Sequence, residues 1–378
     1  MAIERRFTDA ELIDALRASN NLAPKAAKIL GVDRSAVYKR RDRLIKRGLW
    51  QTSDANHIVP KGYLVKGKSI LYGQDGNPVM QWVKSDIDKE RQLEMLQEVI
   101  KGLKDDIPKA QPTAHPQITG DHLLNLYVLT DYHLGMMAWH EETGGDDWDL
   151  RKAEEMLIAW IDNGIDRSPN AGTAVLGQLG DFLHWDGMDA VTPAHRNVLD
   201  ADTRFQKVVR MAIRLLRYII GRLLSKYAKV VLIQTGGNHD PASTVWLREF
   251  FAAFYEDEPR IVVDNGADSY FCYEFGQTSL FFNHFDKRTA VNIDQVFTAK
   301  FRDVFGRTKY SYAHGGHRHN KLQVESALMI VEQHRTLAPK DAYAAKAGYE
   351  SGREATVITY HKDFGEVGRI QVNPNMLK

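Results

Sequence analysis

Nine residues in the second part of the sequence have the types and spacing that metal binding requires. They are aspartates, histidines and one asparagine in five short groups: Asp131/His133, Asp181, Asn238/His239/Asp240, His284 and His317/His319. Carboxylate and amide oxygens suit hard divalent cations, and imidazole suits manganese, iron and zinc. The mixed set favours Mn²⁺, Fe or Zn²⁺ over Ca²⁺ or Mg²⁺. Mn²⁺ is the preferred choice, with Ni²⁺ also admissible.

Two metal ions bound close together would allow this set of residues to catalyse hydrolysis. A carboxylate such as Asp181 can bridge two metals, which lie about 3.5–4 Å apart in two-metal sites. Such a pair activates a water molecule, clamps a phosphate for in-line displacement and neutralises charge on its oxygens. The set therefore predicts two bound divalent ions and hydrolysis of a phosphoester by metal-bound hydroxide.

Each group follows an apolar run that reads as a buried strand. The runs are LYVLT before Asp131, TAVLGQLG before Asp181, KVVLIQTGG before Asn238, SLFFN before His284 and YSYAHGG before His317. They alternate with helical patterns at 149–165 and 202–227, and strand-rich sequence follows residue 260, which indicates an α/β layer structure. Because ligands gather at the carboxyl ends of strands in such folds, the five groups are expected to converge.

The ordered motifs D-x-H, G-D, G-N-H-D, a lone His and G-H-x-H resemble the signature of the calcineurin-like metallophosphoesterases. In this sequence they are Asp131-Tyr-His133, Gly180-Asp181, Gly237-Asn-His-Asp240, His284 and Gly316-His-Arg-His319. The resemblance spans nearly all of the second half of the chain. It implies an α/β (α+β) domain with a four-layer α/β/β/α sandwich over residues 121–378.

The same resemblance implies a role for each residue. The first metal would be held by Asp131, His133, Asp181 and His319. The second would be held by Asp181, Asn238, His284 and His317. His239 would protonate the leaving oxygen or bind the phosphate, and Asp240 would orient the His239 imidazole, as carboxylates commonly do.

The stretch Gly180-Asp-Phe-Leu-His184 resembles the G-D-x-x-H variant of double-strand-break-repair nucleases in this superfamily. There the extra histidine assists at the scissile phosphate, so His184 is predicted to be catalytic. Those nucleases carry a further DNA-capping domain after the catalytic core, and little chain remains here for one. A rim or supporting histidine is the alternative for His184. The eight remaining histidines are expected to be surface or packing residues.

The first 52 residues read as a small all-α domain. Thr8 and Glu11 form a capping box, Gly31 stands at a tight turn, and Asp33 can cap a third helix that begins at Arg34. The stretch APKAAKILGVDRSAVYKRRDRLIKRG resembles a Fis-like or resolvase-like helix-turn-helix. Such a recognition helix needs small or polar residues near bases and cations near phosphates. The predicted DNA-binding residues are Arg34, Ser35, Tyr38, Lys39, Arg40 and Arg43.

Between these domains we predict a β-hairpin and helix connector over 53–106 and a Pro-rich linker over 107–120. The hairpin turns at Gln74-Asp75-Gly76-Asn77, and the polar helix is expected from Ser85 to about residue 106. The order of domains resembles phage and prophage proteins of the superfamily.

Composition and charge constrain the class of protein, its location and its partner. The chain has 378 residues, 43% of them hydrophobic, and a net charge of +1 that hides a basic segment near residues 34–47. We find no apolar run long enough to span a membrane and no secretory signal. Cys272 is the only cysteine, which suits a reducing compartment, so a cytoplasmic location is expected (host cytoplasm if phage-encoded). DNA is the predicted partner, and a homo-oligomer is possible.

The preferred function is a DNA nuclease or phosphodiesterase targeted by its helix-turn-helix. One alternative is a phosphatase or phosphodiesterase that acts on nucleotides or phosphoproteins. Another is a DNA-binding regulatory or packaging protein in which the metal domain is structural. A relative that has lost its metals is the remaining alternative, although no ligand position is substituted.

Overall fold

A computed structural model describes residues 7–19, 22–46, 50, 63–72, 78–87, 116, 120–193 and 195–377. The chain divides into two units, Met1–Asp106 and Ile107–Lys378. The domain limits given above stay a prediction.

The amino-terminal unit contains three helices: α1 (Asp9–Ala18), α2 (Ala23–Leu30) and α3 (Arg34–Lys46). The predicted capping box is present, because Thr8 accepts from the Glu11 backbone and Glu11 accepts from the Thr8 backbone. Gly31 ends α2 in the left-handed conformation that glycine adopts most easily. Apolar side chains of all three helices, including Leu12, Leu16 and Val37, form a small buried core. The small helical region is therefore confirmed.

The predicted hairpin is also present. Strands β1 (Tyr63–Tyr72) and β2 (Pro78–Ile87) pair antiparallel. Because β2 continues to Ile87, the prediction of a helix beginning at Ser85 was wrong at its start. The rest of that helix, the turn at 74–77 and most of the linker lie outside the described residues.

The larger unit is built on a six-stranded sheet. Its strands are β3 (Leu123–Leu129), β4 (Thr173–Gln178), β5 (Lys229–Gln234), β6 (Ile261–Asp264), β12 (Ala355–His361) and β13 (Gly365–Val372). The order is β13-β12-β3-β4-β5-β6. Strands β3 to β6 are parallel, whereas β12 runs antiparallel to both β3 and β13. The carboxyl ends of β3, β4 and β5 therefore lie side by side.

A five-stranded sheet covers one face of the first. It consists of β7 (Phe271–Phe275), β8 (Thr278–Phe282), β9 (Tyr310–Gly315), β10 (Leu322–Glu325) and β11 (Ile330–Gln333). The order is β10-β11-β9-β8-β7, with β8, β9 and β11 parallel. Leu126 and Val231 of the first sheet share one buried cluster with Phe282 and Tyr312 of the second. This apolar layer between the sheets is the main core.

Helices cover the outer faces of both sheets. They are α4 (His140–Thr143), α5 (Leu150–Arg167), α6 (Phe205–Lys226), α7 (Pro241–Phe254), α8 (Asp294–Lys300), α9 (Arg302–Arg307) and α10 (Ala342–Lys346), followed by a 3₁₀ turn at Pro374–Leu377. Gly164 of α5 lies against Val357 of β12 on one side. Phe297 of α8 packs on Phe281 of β8 on the other, with ring centroids 5.3 Å apart. The four-layer α/β/β/α prediction is confirmed.

The helices predicted at 149–165 and 202–227 correspond to α5 and α6, with ends shifted by one to three residues. Within the described residues, no helix is both long enough and apolar enough to cross a membrane.

Candidate metal centre

The five predicted groups meet at one edge of the two sheets. Asp131 follows β3, Asp181 follows β4, Asn238 follows β5, His284 follows β8 and His317 follows β9. Backbone hydrogen bonds join the loops, for example from the Asp131 N–H to the Gly180 carbonyl at 3.1 Å. The groups therefore converge in space, as their positions after buried strands predict.

Five of these residues have a strained backbone conformation. Asp131, His133, Asp181, His317 and His319 have φ angles of 48°, 48°, 49°, 77° and 55°. Residues other than glycine rarely adopt this left-handed region, and each such residue costs about 1–3 kcal/mol. Surrounding contacts must hold them in place. The His317 N–H donates to both Asp131 carboxylate oxygens at 3.0 and 2.9 Å, which is one such contact.

One cluster of donor atoms is formed by Asp131, His133 and His319. The Nε2 atoms of His133 and His319 are 3.2 Å apart, and His319 Nε2 lies 3.4 Å from Asp131 Oδ1. All three donor atoms lie within 4.8 Å of one another. Donors around one ion lie about 2.0–2.2 Å from it and hence within about 4.4 Å of each other. The His133–His319 and His319–Asp131 distances are already within that range, so these atoms are arranged to hold one ion.

A second cluster is formed by Asp181, His284 and His317, again with donor atoms within 4.8 Å of one another. His284 Nε2 lies 3.1 Å from Asp181 Oδ2 and 3.3 Å from Asn238 Oδ1. The His284 Nδ1–H donates to the Leu179 carbonyl at 2.8 Å, which turns Nε2 toward the cluster. A hydrogen bond of this kind commonly orients a metal-binding imidazole.

Two glycines allow the loops to approach the carboxylates. A Cβ on Gly237 would lie 1.9 Å from Asp181 Oδ1, and a Cβ on Gly316 would lie 2.1 Å from Asp131 Oδ2. No side chain fits at such distances. The glycines of G-N-H-D and G-H-x-H are therefore needed for close packing around the donor clusters.

The electrostatics of the buried groups are those of a cation site. Burial opposes ionisation of Asp181, yet His284 and His239 beside it hold the pKa of Asp181 well below its ordinary value. Burial likewise disfavours a charged His284, but the Asp181 carboxylate outweighs it and raises the pKa of His284 to about 10. His319 behaves in the same way beside Asp131, which raises the pKa of His319. Two buried carboxylates thus attract positive charge, and the donor set fits two divalent ions.

Proton release on metal binding tests this interpretation. A histidine must lose its proton to coordinate a metal. Since the pKa of His284 is about 10, this imidazole is protonated at pH 8 in the metal-free protein. We expect Mn²⁺ binding at pH 8 to release at least one proton per chain. Calorimetric titrations in two buffers of different ionisation enthalpy would measure the number, and a value of zero would contradict the assignment.

His239 lies at the rim of the two clusters and is partly exposed. Its Nδ1–H donates to the His184 carbonyl at 2.8 Å. The prediction that Asp240 orients this imidazole was wrong. The Asp240 carboxylate instead accepts the backbone N–H groups of Asp181, Leu183 and Gly237 at 3.0–3.1 Å. Asp240 therefore fixes two loops together, and burial and nearby Asp181 raise its pKa to about 7.

His184 is buried, with 1% of its surface exposed. Burial, with His239 nearby, lowers its pKa to about 3. In this structure the ring is too enclosed for the predicted contact with a scissile phosphate. Its Nδ1 atom lies instead 3.2 Å from His133 Nδ1.

Two further groups of potential donors occur among the described residues: one is His133, His184 and His239, and the other, not singled out by the sequence, is His314, Glu332 and His334. His314 Nδ1 and His334 Nε2 are 2.9 Å apart, and both Glu332 oxygens accept from Arg369 at 2.8 and 2.9 Å. Because the carboxylate is already paired with a cation, we assign this group to packing, as expected for His314 and His334.

Helix α3 presents most of the predicted DNA-binding side chains. Arg34, Ser35, Tyr38, Lys39 and Arg43 are exposed. Arg40 differs, since its Nε–H donates to Asp9 at 2.6 Å and its guanidinium lies 5.2 Å from the centre of the Phe7 ring. Arg40 thus joins α3 to α1 in this structure.

No family model and no curated protein matches this chain. Solved structures with a similar fold include an archaeal phosphodiesterase, at 15% identity over 66% of this chain and 99% of that one, with a TM-score of 0.30. Zinc-bound Vps29 from Entamoeba histolytica matches at 9% identity over 67% and 99%, with a TM-score of 0.29. A predicted phosphoesterase from Streptococcus pneumoniae matches at 9% over 66% and 97%, with a TM-score of 0.27.

Proposed function

We propose that the chain is a two-metal phosphodiesterase of the calcineurin-like superfamily. One observation carries the proposal: the predicted ligands gather into two adjacent donor clusters. The Asp181 carboxylate contacts His284 of the second cluster through Oδ2, and its charge also interacts with His133 of the first. Both clusters occupy the strand-end edge where ligands bind in α/β folds.

When bound, two divalent ions supply Lewis-acid activation of water and of the phosphate. The residues of the chain would bind these ions and interact with the substrate. Asp131, His133, His319 and Asp181 would hold the first ion, and Asp181, Asn238, His284 and His317 the second. His239 is the partly exposed imidazole beside them, so it is the group placed to donate a proton to the leaving oxygen or a hydrogen bond to the phosphate.

DNA is the substrate that the amino-terminal unit supports. The exposed cations of α3 (Arg34, Lys39 and Arg43) resemble a phosphate-contacting surface. Such a surface would raise the local concentration of DNA at the catalytic unit. A nuclease or DNA-directed phosphodiesterase, dependent on Mn²⁺, is therefore the preferred activity.

The test distinguishes the catalytic activity of the metal centre from the binding of DNA by α3. Replacing Arg34, Lys39 and Arg43 by alanine should leave hydrolysis of bis-p-nitrophenyl phosphate unchanged. Cleavage of DNA should weaken, and the slope of log affinity against log salt should fall by about one for each phosphate that the variant no longer binds. Activity with Mn²⁺ on single-stranded, double-stranded and nicked DNA would be measured from 50 to 200 mM salt.

The matched control replaces Arg17, Lys25 and Lys28, basic residues of α1 and α2 that are also exposed. Equal losses for the two triple variants would contradict a specific role for α3. Hydrolysis of the chromogenic ester with no cleavage of any DNA would instead favour nucleotides or phosphoproteins as substrates.

A further inference from the structure

The ring of His184 lies directly behind the ring of His133. Their Nδ1 atoms are 3.2 Å apart, and the rings meet edge to face with centroids 5.2 Å apart. The other nitrogen of His133, Nε2, faces His319 Nε2 in the first donor cluster. His133 therefore has one nitrogen turned toward the cluster and one turned toward His184.

This arrangement determines where the protons must be when an ion is held. If His133 coordinates through Nε2, its proton must sit on Nδ1, and that N–H needs an acceptor. His184 Nδ1 is within reach as that acceptor. Metal-binding histidines generally donate this second N–H to a carboxylate, a carbonyl or water, and the donation fixes the ring and raises its basicity. Here a second imidazole takes that place.

We propose that His184 is a positioning residue for metal binding, which accepts the Nδ1–H of His133 and so holds His133 Nε2 ready for the first ion. The inference rests on the proposed two-metal function, and it replaces the role at the scissile phosphate that sequence resemblance implied. In the proposed state His184 carries its own proton on Nε2. That atom is buried and has no hydrogen-bond partner among the described residues.

The backbone of His184 makes two hydrogen bonds that do not involve its ring. The role of the ring can therefore be tested by substitution of the side chain. The His184 carbonyl accepts from His239 Nδ1, and the His184 N–H donates to the Leu134 carbonyl at 3.1 Å. Substitution of the side chain leaves both backbone bonds available. A change in metal affinity would then report on the ring.

Three substitutions distinguish the two ring nitrogens. His184→Asn places an amide oxygen near the position of Nδ1 and can still accept from His133. His184→Gln places its polar atoms near the position of Nε2 instead. His184→Leu removes both. Buried His314, which bonds His334 and Tyr360 outside the two clusters, supplies the control His314→Leu for loss of a buried imidazole.

The readout is the equilibrium affinity of the full chain for Mn²⁺, measured by calorimetry, with thermal unfolding of the metal-free protein to check folding. We expect His184→Leu and His184→Gln to bind one ion about 10- to 100-fold more weakly, as loss of such a supporting group typically does. His184→Asn should retain affinity near that of the wild type, and His314→Leu should not change it selectively.

Wild-type affinity in His184→Leu would overturn the inference while leaving the two-metal function intact. Wild-type Mn²⁺ affinity in His184→Gln together with weakened affinity in His184→Asn would also overturn it, because Nε2 and not Nδ1 would then be the atom that supports metal binding. A wild-type chain that binds no Mn²⁺ would overturn the proposed function as well.

Discussion

Replacing Asp181 by asparagine should lower kcat/KM for bis-p-nitrophenyl phosphate by about 1,000-fold or more. Metal-based stabilisation of the transition state is worth several kcal/mol, and each 1.36 kcal/mol is tenfold in rate. Asp181 is 2% exposed, belongs to the second donor cluster and interacts electrostatically with His133 of the first, and it is the proposed bridging carboxylate. Asparagine keeps the acceptor for the His239 N–H but removes the negative charge. The loss should appear in Mn²⁺ affinity as well as in rate.

Asp186 offers a matched control a few residues along the same loop. Its carboxylate accepts the Ser243 N–H at 2.7 Å and also bonds Ala242, so it caps α7 outside the donor clusters. Asp186→Asn should therefore cost some stability but little activity. Full activity and metal affinity in Asp181→Asn would contradict the bridging role, and equal losses in both variants would indicate a structural effect.

The sequence predicts the place of this site well because strand burial leaves a strong pattern. Strands β3, β4 and β5 lie in the middle of a sheet covered on both faces, so each is a nearly continuous apolar run. A polar residue directly after such a run stands out. The apolar runs by themselves therefore place Asp131, Asp181 and Asn238 at one edge of the sheet.

Short peripheral elements leave a weaker pattern. Strands β10 and β11 have four residues each, and β10 is mostly exposed, so neither produces a recognisable run. The left-handed conformations of Asp131 and His133 also have no sequence signal, because the residues are not glycines. Their backbone is imposed by contacts with other loops.

Side-chain partners across loops were the part that sequence reasoning missed. The family resemblance implied that Asp240 orients His239, yet the Asp240 carboxylate accepts hydrogen bonds from the backbone of the loop that follows β4. In the same way, the charge run of α3 gave no sign that Arg40 would pair with Asp9, which lies 31 residues earlier. Such contacts depend on how separate segments approach in space.

His239→Ala is the second substitution with a large expected effect, and its size should depend on the leaving group. A general acid contributes about 100- to 10,000-fold when the leaving oxygen needs a proton. The alkoxide released from DNA needs one, whereas p-nitrophenolate is stable without it. We therefore expect a loss of that size on DNA and a much smaller loss on bis-p-nitrophenyl phosphate. Mn²⁺ affinity should be unchanged, since His239 is not among the proposed ligands.

Comparison of the two substrates separates the roles left open for His239. If the imidazole only binds the phosphate, both substrates present the same group, and the losses on DNA and on the chromogenic ester should be equal. If His239 were a metal ligand, Mn²⁺ affinity would fall too. His239 donates its Nδ1–H to the His184 carbonyl, so Nε2 is the nitrogen left to face a substrate. The acid role requires a second proton on Nε2, because a neutral ring with its proton on Nδ1 can only accept a hydrogen bond there.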